Sequence, residues 1–216
     1  MSLLNFIEVI LQLNFVIAFL GVSLAYLLGA PQIFLKQPTG NFYWQSYFIF
    51  WPYFLLNTFT LALFCYFSKE NIIDEIIPNL YLGRRPWTFE VQYLSSFGIN
   101  ATLDLTAELS EINFIRNYHD YLCIPVVDAL APTVEQLEHA VSWIKIRLAQ
   151  EESVLVHCAL GHGRSAIIIV AFILQSGMVK NFDDALDFIQ SKRPGLHLSS
   201  IQKRVLKQYQ QNLESK

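Results

Sequence analysis

Val154-Leu-Val-His-Cys-Ala-Leu-Gly-His-Gly-Arg-Ser165 is the stretch on which the reading of this chain turns. Val154, Leu155 and Val156 form a short buried-strand pattern. Gly161 and Gly163 mark a loop, and Ser165 to Gln175 is a long apolar helix pattern. A strand that turns through a glycine-bearing loop into a helix N-terminus builds an anion site. Loop N–H groups point inward, and the helix end adds partial positive charge.

The residues within the loop have matching chemistry. Cys158 stands at its mouth and Arg164 closes it, so the loop spells Cys-x5-Arg. A thiol is a weak nucleophile until ionised, and inward N–H groups beside a helix N-terminus lower its pKa. Arg164 offers a planar fork that fits two phosphate oxygens. The hydroxyl of Ser165 can donate to the sulfur and help a thiolate leave. His157 is expected to orient the loop through a backbone bond, and His162 lies at the mouth, aimed at either substrate or solvent. A lone cysteine in an apolar run is usually a small core residue. Here polar and flexible residues follow Cys158 where a core would need bulk.

The string His157-Cys-Ala-Leu-Gly-His-Gly-Arg-Ser165 resembles the signature loop of the cysteine-dependent protein tyrosine and dual-specificity phosphatases, and is most similar to compact bacterial dual-specificity-type members. The resemblance runs from about Ile77 to Leu213, with Leu80-Tyr-Leu-Gly83 similar to the family's first strand and Arg193-Pro194 followed by Gln202 similar to its C-terminal part. It implies phosphate held by Ala159, Leu160, Gly161, His162, Gly163 and Arg164. It implies a general acid on the loop about 30 residues before the cysteine, where Asp128 stands. Asp128 follows the strand pattern Tyr121 to Val126, and its plain alternative is to cap a turn. No cofactor and no metal is implied, because Arg164 and the loop dipoles supply the charge stabilisation.

The rest of the domain reads as strands alternating with helices. Strands are expected at Ile76 to Gly83, Ala101 to Leu105, Tyr121 to Val126 and Val154 to Val156. Thr88, Thr133, Asn181 and Ser199 each cap a helix, with capping boxes at Thr133/Gln136 and Ser199/Gln202. Ile201, Val205, Leu206 and Tyr209 form the inner face of the last helix. The expected fold is α/β, a central, mostly parallel sheet of about four to five strands flanked by helices. Asp104 is expected to be structural, Glu108 and Glu111 to be solvated or capping, and Lys192 and Arg193 to form a solvated basic turn, with substrate contact as the alternative. Cys123 is expected to be a buried small residue, with a resolving thiol for Cys158 as the alternative. Three cysteines suggest no disulfide framework.

The first 68 residues are different. They contain only Glu8 and Lys36, against 33 acidic and basic residues in the whole chain. The chain is 53% hydrophobic and 15% charged, too apolar for a plain soluble domain. Two apolar runs, about 9–28 and 45–67, each have the length needed to cross a bilayer, and Trp44, Tyr47 and Trp51 suit a headgroup-level aromatic belt. The expectation is a two-helix membrane hairpin over 1–68, a linker over 69–76 and a catalytic domain over 77–216. Lys36 as the single basic residue of the intervening loop, against Lys69, Arg84 and Arg85 after the second run, favours a cytoplasmic catalytic domain, where a thiolate stays reduced. A formal net charge of −3 implies no nucleic-acid partner. Three activities remain open: a protein tyrosine/dual-specificity phosphatase, a phosphatase of a phospholipid headgroup such as phosphatidylglycerophosphate or a phosphoinositide, and a membrane-tethered phosphate-binding module without turnover. The oligomeric state is not specified by the sequence.

Overall fold

The computed structural model describes residues 2–215; the domain ends expected at Met1 and Lys216 lie outside the described residues. Two long apolar helices come first, α1 (Leu3–Leu28) and α2 (Trp44–Phe67), joined by a loop with a 3-10 turn at Pro31–Phe34. Ser2 caps α1 by accepting from the Asn5 N–H, and Gly29 ends it in the left-handed region at φ 60°.

The remainder is an α/β domain around a five-stranded sheet in the order β1-β2-β5-β3-β4. The strands are β1 (Ile73–Ile77), β2 (Leu80–Arg84), β3 (Ile99–Thr106), β4 (Asp120–Val126) and β5 (Ser153–Cys158). Only β1 against β2 is antiparallel. One opening strand was expected at Ile76 to Gly83; the structure divides it at Pro78-Asn79, where Asn79 takes φ 65°, and β1 begins inside the expected linker. Asparagine tolerates that conformation, and Pro-Asn is a turn signal.

Helices α3 (Val91–Ser96) and α4 (Asn113–Tyr118) cover one face of the sheet. Helices α5 (Val134–Ala149), α6 (Arg164–Gln175), α7 (Phe182–Lys192) and α8 (Ser200–Glu214) cover the other. Side chains alternate along β5, so Val154, Val156 and Cys158 face the α6 side, while Leu155 faces α3 and α4. The core is centred on α6, whose residues Arg164 to Leu174 are all buried. The capping boxes at Thr133/Gln136 and Ser199/Gln202 form as their spacing predicts. Ile201, expected inward on α8, is exposed, because the buried stripe runs through Gln202, Leu206 and Tyr209 instead.

The N-terminal hairpin does not stand apart. Phe34, Phe42, Phe50 and Tyr53 form one buried cluster with Ala107 and Val127 of the α/β domain. Lys36, read in the sequence as the single basic residue of the loop, has a fully buried side chain with its Nζ 2.6 Å from Asp104 Oδ2 on β3.

Candidate active site

β5 ends at Cys158 and α6 starts at Arg164, so the intervening loop lies at the carboxyl end of the sheet. Gly161 bends it at φ 78°, and a Cβ there would lie 2.5 Å from the Gly83 carbonyl on β2. Only glycine fits that approach. Arg193 clamps the loop from outside. Its Nε donates to Gly161 O at 3.0 Å and an Nη to Leu160 O at 3.0 Å, while Asp74 holds its other side at 2.6 Å. The expected solvated turn is therefore half wrong: Lys192 is exposed, but Arg193 is only 1% exposed and holds the loop's shape.

Cys158 forms part of the wall of a cavity of about 370 Å³ also lined by Ala159, Leu160, His162, Gly163, Glu108 and Asp128. Gly161 N–H donates to Sγ at 3.3 Å and Ser165 Oγ–H at 3.4 Å. Burial alone would push the thiol up; the Arg164 guanidinium, the Ser165 hydroxyl and the N–H groups of Ser165 and Gly161 outweigh it and hold the pKa below the ordinary thiol value.

Arg164 is 1% exposed. Its two terminal nitrogens donate to Glu108 at 2.8 and 2.7 Å in a fork-to-fork pair, and one also donates to Val126 O at 2.9 Å. Asp128 Oδ1 lies 3.1 Å from the same guanidinium, with its side chain 62% exposed at the cavity rim. Arg164 Nε is buried without a protein partner. Glu108 was expected to be solvated or capping; it does accept from the Ala107 N–H, but it is buried, because the segment after β3 folds over the Cys158–Arg164 loop and gives the carboxylate a cation.

Glu111, also expected to be solvated or capping, accepts from the Ile112 N–H at 2.6 Å but is not solvated. It is buried, with Oε2 2.9 Å from His157 Nε2. His157 Nδ1 lies 3.3 Å from Cys158 O. Burial opposes the imidazolium, but Glu111 and then Asp104 offset it and raise the His157 pKa. Asp104 carries Lys36 and the Tyr121 hydroxyl on Oδ2 and Thr106 on Oδ1. Asp104, Glu111 and His157 have the spacing of a metal site; in this structure Asp104 takes the Lys36 ammonium and Glu111 faces His157. His162 pairs with Glu70 at 2.6 Å, and its ring meets Phe64 edge-on at 5.5 Å. Cys123 sits on β4 opposite Asp104, and β3 separates it from β5. Two strand spacings make about 10 Å, beyond disulfide reach, and burial pushes its thiol up to about 11.

Two features were invisible in the sequence. Ser199 Oγ donates to Ala129 O at 2.9 Å and Gln202 Nε2 to Leu130 O at 2.9 Å, so the start of α8 fixes the loop that carries Asp128. Asn57, Thr60, Leu61 and Phe64 of α2 form one wall of the cavity.

Residues 80–212 match the family model described as dual specificity phosphatase, catalytic domain. Among curated relatives, dual specificity protein phosphatase 2 of Mus musculus is 35% identical over 120 residues, 55% of this chain and 37% of the relative. Dual specificity protein phosphatase 16 of Homo sapiens is 33% identical over 120 residues, 55% of this chain and 18% of the relative. The chain thus spans less than two fifths of the length of these relatives. Among solved structures, Tk-PTP in its active form is 28% identical with a TM-score of 0.60, over 65% of this chain and 97% of that one. PTPMT1, solved in complex with PI(5)P, shares the fold at 20% identity with a TM-score of 0.62, over 67% of this chain and 98% of that one.

Proposed function

The chain belongs to the dual specificity phosphatase catalytic-domain family, and from that premise we propose that it is a phosphomonoester hydrolase working through a cysteinyl-phosphate intermediate. The Cys158 thiolate attacks phosphorus in line while the Asp128 carboxylic acid protonates the departing oxygen. The phosphoryl group is held by Arg164 and by loop N–H groups between Ala159 and Arg164. Asp128, now a carboxylate, takes a proton from water, which attacks phosphorus and releases inorganic phosphate. The sulfur leaves as a thiolate, stabilised by the Ser165 hydroxyl.

One observation carries this reading: Cys158 lines a cavity and has two hydrogen-bond donors on its sulfur, and the buried Arg164 guanidinium, paired with the lining residues Glu108 and Asp128, keeps an Nε without a protein partner. That unsatisfied donor suits a phosphoryl oxygen. Cys158 and Asp128 line one cavity and Arg164 pairs with Asp128 at 3.1 Å, an arrangement that favours turnover over a binding module.

The leading substrate is a phosphorylated protein, on tyrosine and by extension serine or threonine. The second is a lipid phosphomonoester, favoured by the α2 residues that wall the cavity. We further infer attachment to a lipid bilayer through α1 and α2, both long and apolar enough to meet one, with the catalytic domain on the cytoplasmic side, where the thiol stays reduced. Cys158→Ser should abolish hydrolysis of a chromogenic aryl phosphate while the folded variant still binds the ester. A variant with full activity would refute the mechanism. Rates on phosphopeptides against phosphatidylglycerophosphate vesicles, in one detergent, separate the two substrate classes.

A further inference from the structure

We propose that the α1–α2 hairpin lies in the plane of a single leaflet, with α1 facing lipid and α2 roofing the catalytic cavity, so that loop and catalytic domain share one side of the membrane. The proposal rests on the reading that this hairpin attaches the protein to a bilayer, and it decides how.

The loop between the helices is locked to the catalytic domain. Lys36 Nζ bonds Asp104 at 2.6 Å, Thr106 O at 2.7 Å and Thr106 Oγ1 at 2.9 Å. Glu111 N–H donates to Gly40 O at 2.8 Å. Gly40 takes φ 79°, and a Cβ there would collide with the Tyr121 hydroxyl. The other end of α2 is held too: Phe64 meets His162, and Asn57, Thr60 and Leu61 line the cavity of Cys158. Midway, Trp51, Phe54 and Leu55 line a second hollow with Arg85 and Trp87.

A 24-residue helix is about 36 Å long, and one folded domain touches it along that length. Were α2 to cross a bilayer in this arrangement, Arg85, Glu108 and the mouth of the phosphate site would sit at hydrocarbon depth. Charged groups there are costly, and irregular backbone facing lipid is not tolerated. Were the hairpin to stand upright with the domain at its foot, residues 29–43 would lie across about 30 Å of hydrocarbon from Asp104, and the buried Lys36–Asp104 pair could not form.

An in-plane hairpin satisfies both limits. α1 packs on α2 through Gly21 against Phe50 and Phe15 against Trp51. Two of its polar side chains bond to helix backbone: Asn14 Nδ2 donates to Phe48 O of α2 and Ser23 Oγ to Phe19 O. Leu4, Ile7, Leu11, Leu20 and Leu27 are exposed, and Glu8 is the single charge on the helix. A helix about 10 Å across fits within one leaflet's hydrocarbon, about 15 Å deep. The cavity beneath α2 then opens at headgroup level.

Impermeant-maleimide labelling of the full chain in sealed proteoliposomes tests this. The background is Cys65→Ser, Cys123→Ser, Cys158→Ser. Single cysteines enter at the exposed loop positions Thr39→Cys or Gln32→Cys and at Lys145→Cys on α5. The loop and Lys145 positions should label to the same extent from outside, and together again after detergent. Labelling from opposite sides would overturn the in-plane arrangement while leaving membrane attachment and catalysis standing. Flotation on the same samples reads attachment separately: protein that does not float with vesicles ends both membrane readings and leaves the phosphatase assay untouched.

Discussion

Glu108→Gln isolates what the buried carboxylate does for the guanidinium. Glu108 accepts two parallel bonds from Arg164, at 2.7 and 2.8 Å, and a third from Ala107 N–H at 3.0 Å. The amide keeps one acceptor oxygen but turns an NH2 toward a guanidinium N–H, so one bond of the fork is lost and a buried cation loses the nearer and more buried of its two counter-charges. A hydrogen bond to a charged group contributes about 1.5–3 kcal/mol. In a domain of this size that loss lowers Tm by about 3–12 °C. The kinetic loss should be larger in consequence. If Arg164 leaves its place over the phosphoryl oxygens, the transition state loses one oriented donor, about 10²–10³ in kcat. Steady-state kinetics on an aryl phosphate, with thermal unfolding in the same detergent, separates the two effects. kcat should fall while KM changes little, and Glu108→Asp should recover part of the loss. A folded Glu108→Gln protein within twofold of wild-type kcat/KM would refute the positioning role.

Lys36→Met breaks a pair whose side chains are both fully buried, so it should cost about 3–5 kcal/mol and lower Tm by about 6–20 °C; a loss no larger than that of Lys69→Met, at an exposed site, would show that the loop does not dock on β3. Ser165→Ala removes a donor 3.4 Å from the sulfur. Donors to the anion lower the thiol pKa, so their removal raises it, and the pH at which Cys158 alkylation by iodoacetamide reaches its plateau should move upward; an unmoved profile would deny the hydroxyl that role. Asp128→Asn should slow hydrolysis of alkyl phosphates by about 10²–10⁴ and of aryl phosphates with good leaving groups far less; equal losses on both would rule out proton donation by Asp128.

Local signals survived the passage from sequence to structure. The strand–loop–helix at Val154 to Ser165, the capping boxes at Thr133 and Ser199 and the alternation along β5 each depend on neighbours within a few residues. The charged residues behind the site did not, because their surroundings are set from far along the chain. Glu108 meets Arg164 across 56 residues, and Arg193 meets Asp74 across 119. Read locally, a glutamate after a strand or an arginine before a proline is a solvated charge, the usual state of such residues. Lys36 and Asp104 carried one readable clue. A carboxylate within the apolar strand pattern Ala101 to Leu105 cannot stay ionised in a sheet core without a cation, and the first 68 residues contain one basic residue. Which of the chain's 15 lysines and arginines meets Asp104 is set by the fold, which brings the hairpin loop onto β3. The same pairing weighs against an upright hairpin, because a bilayer between Lys36 and Asp104 would leave each charge buried alone.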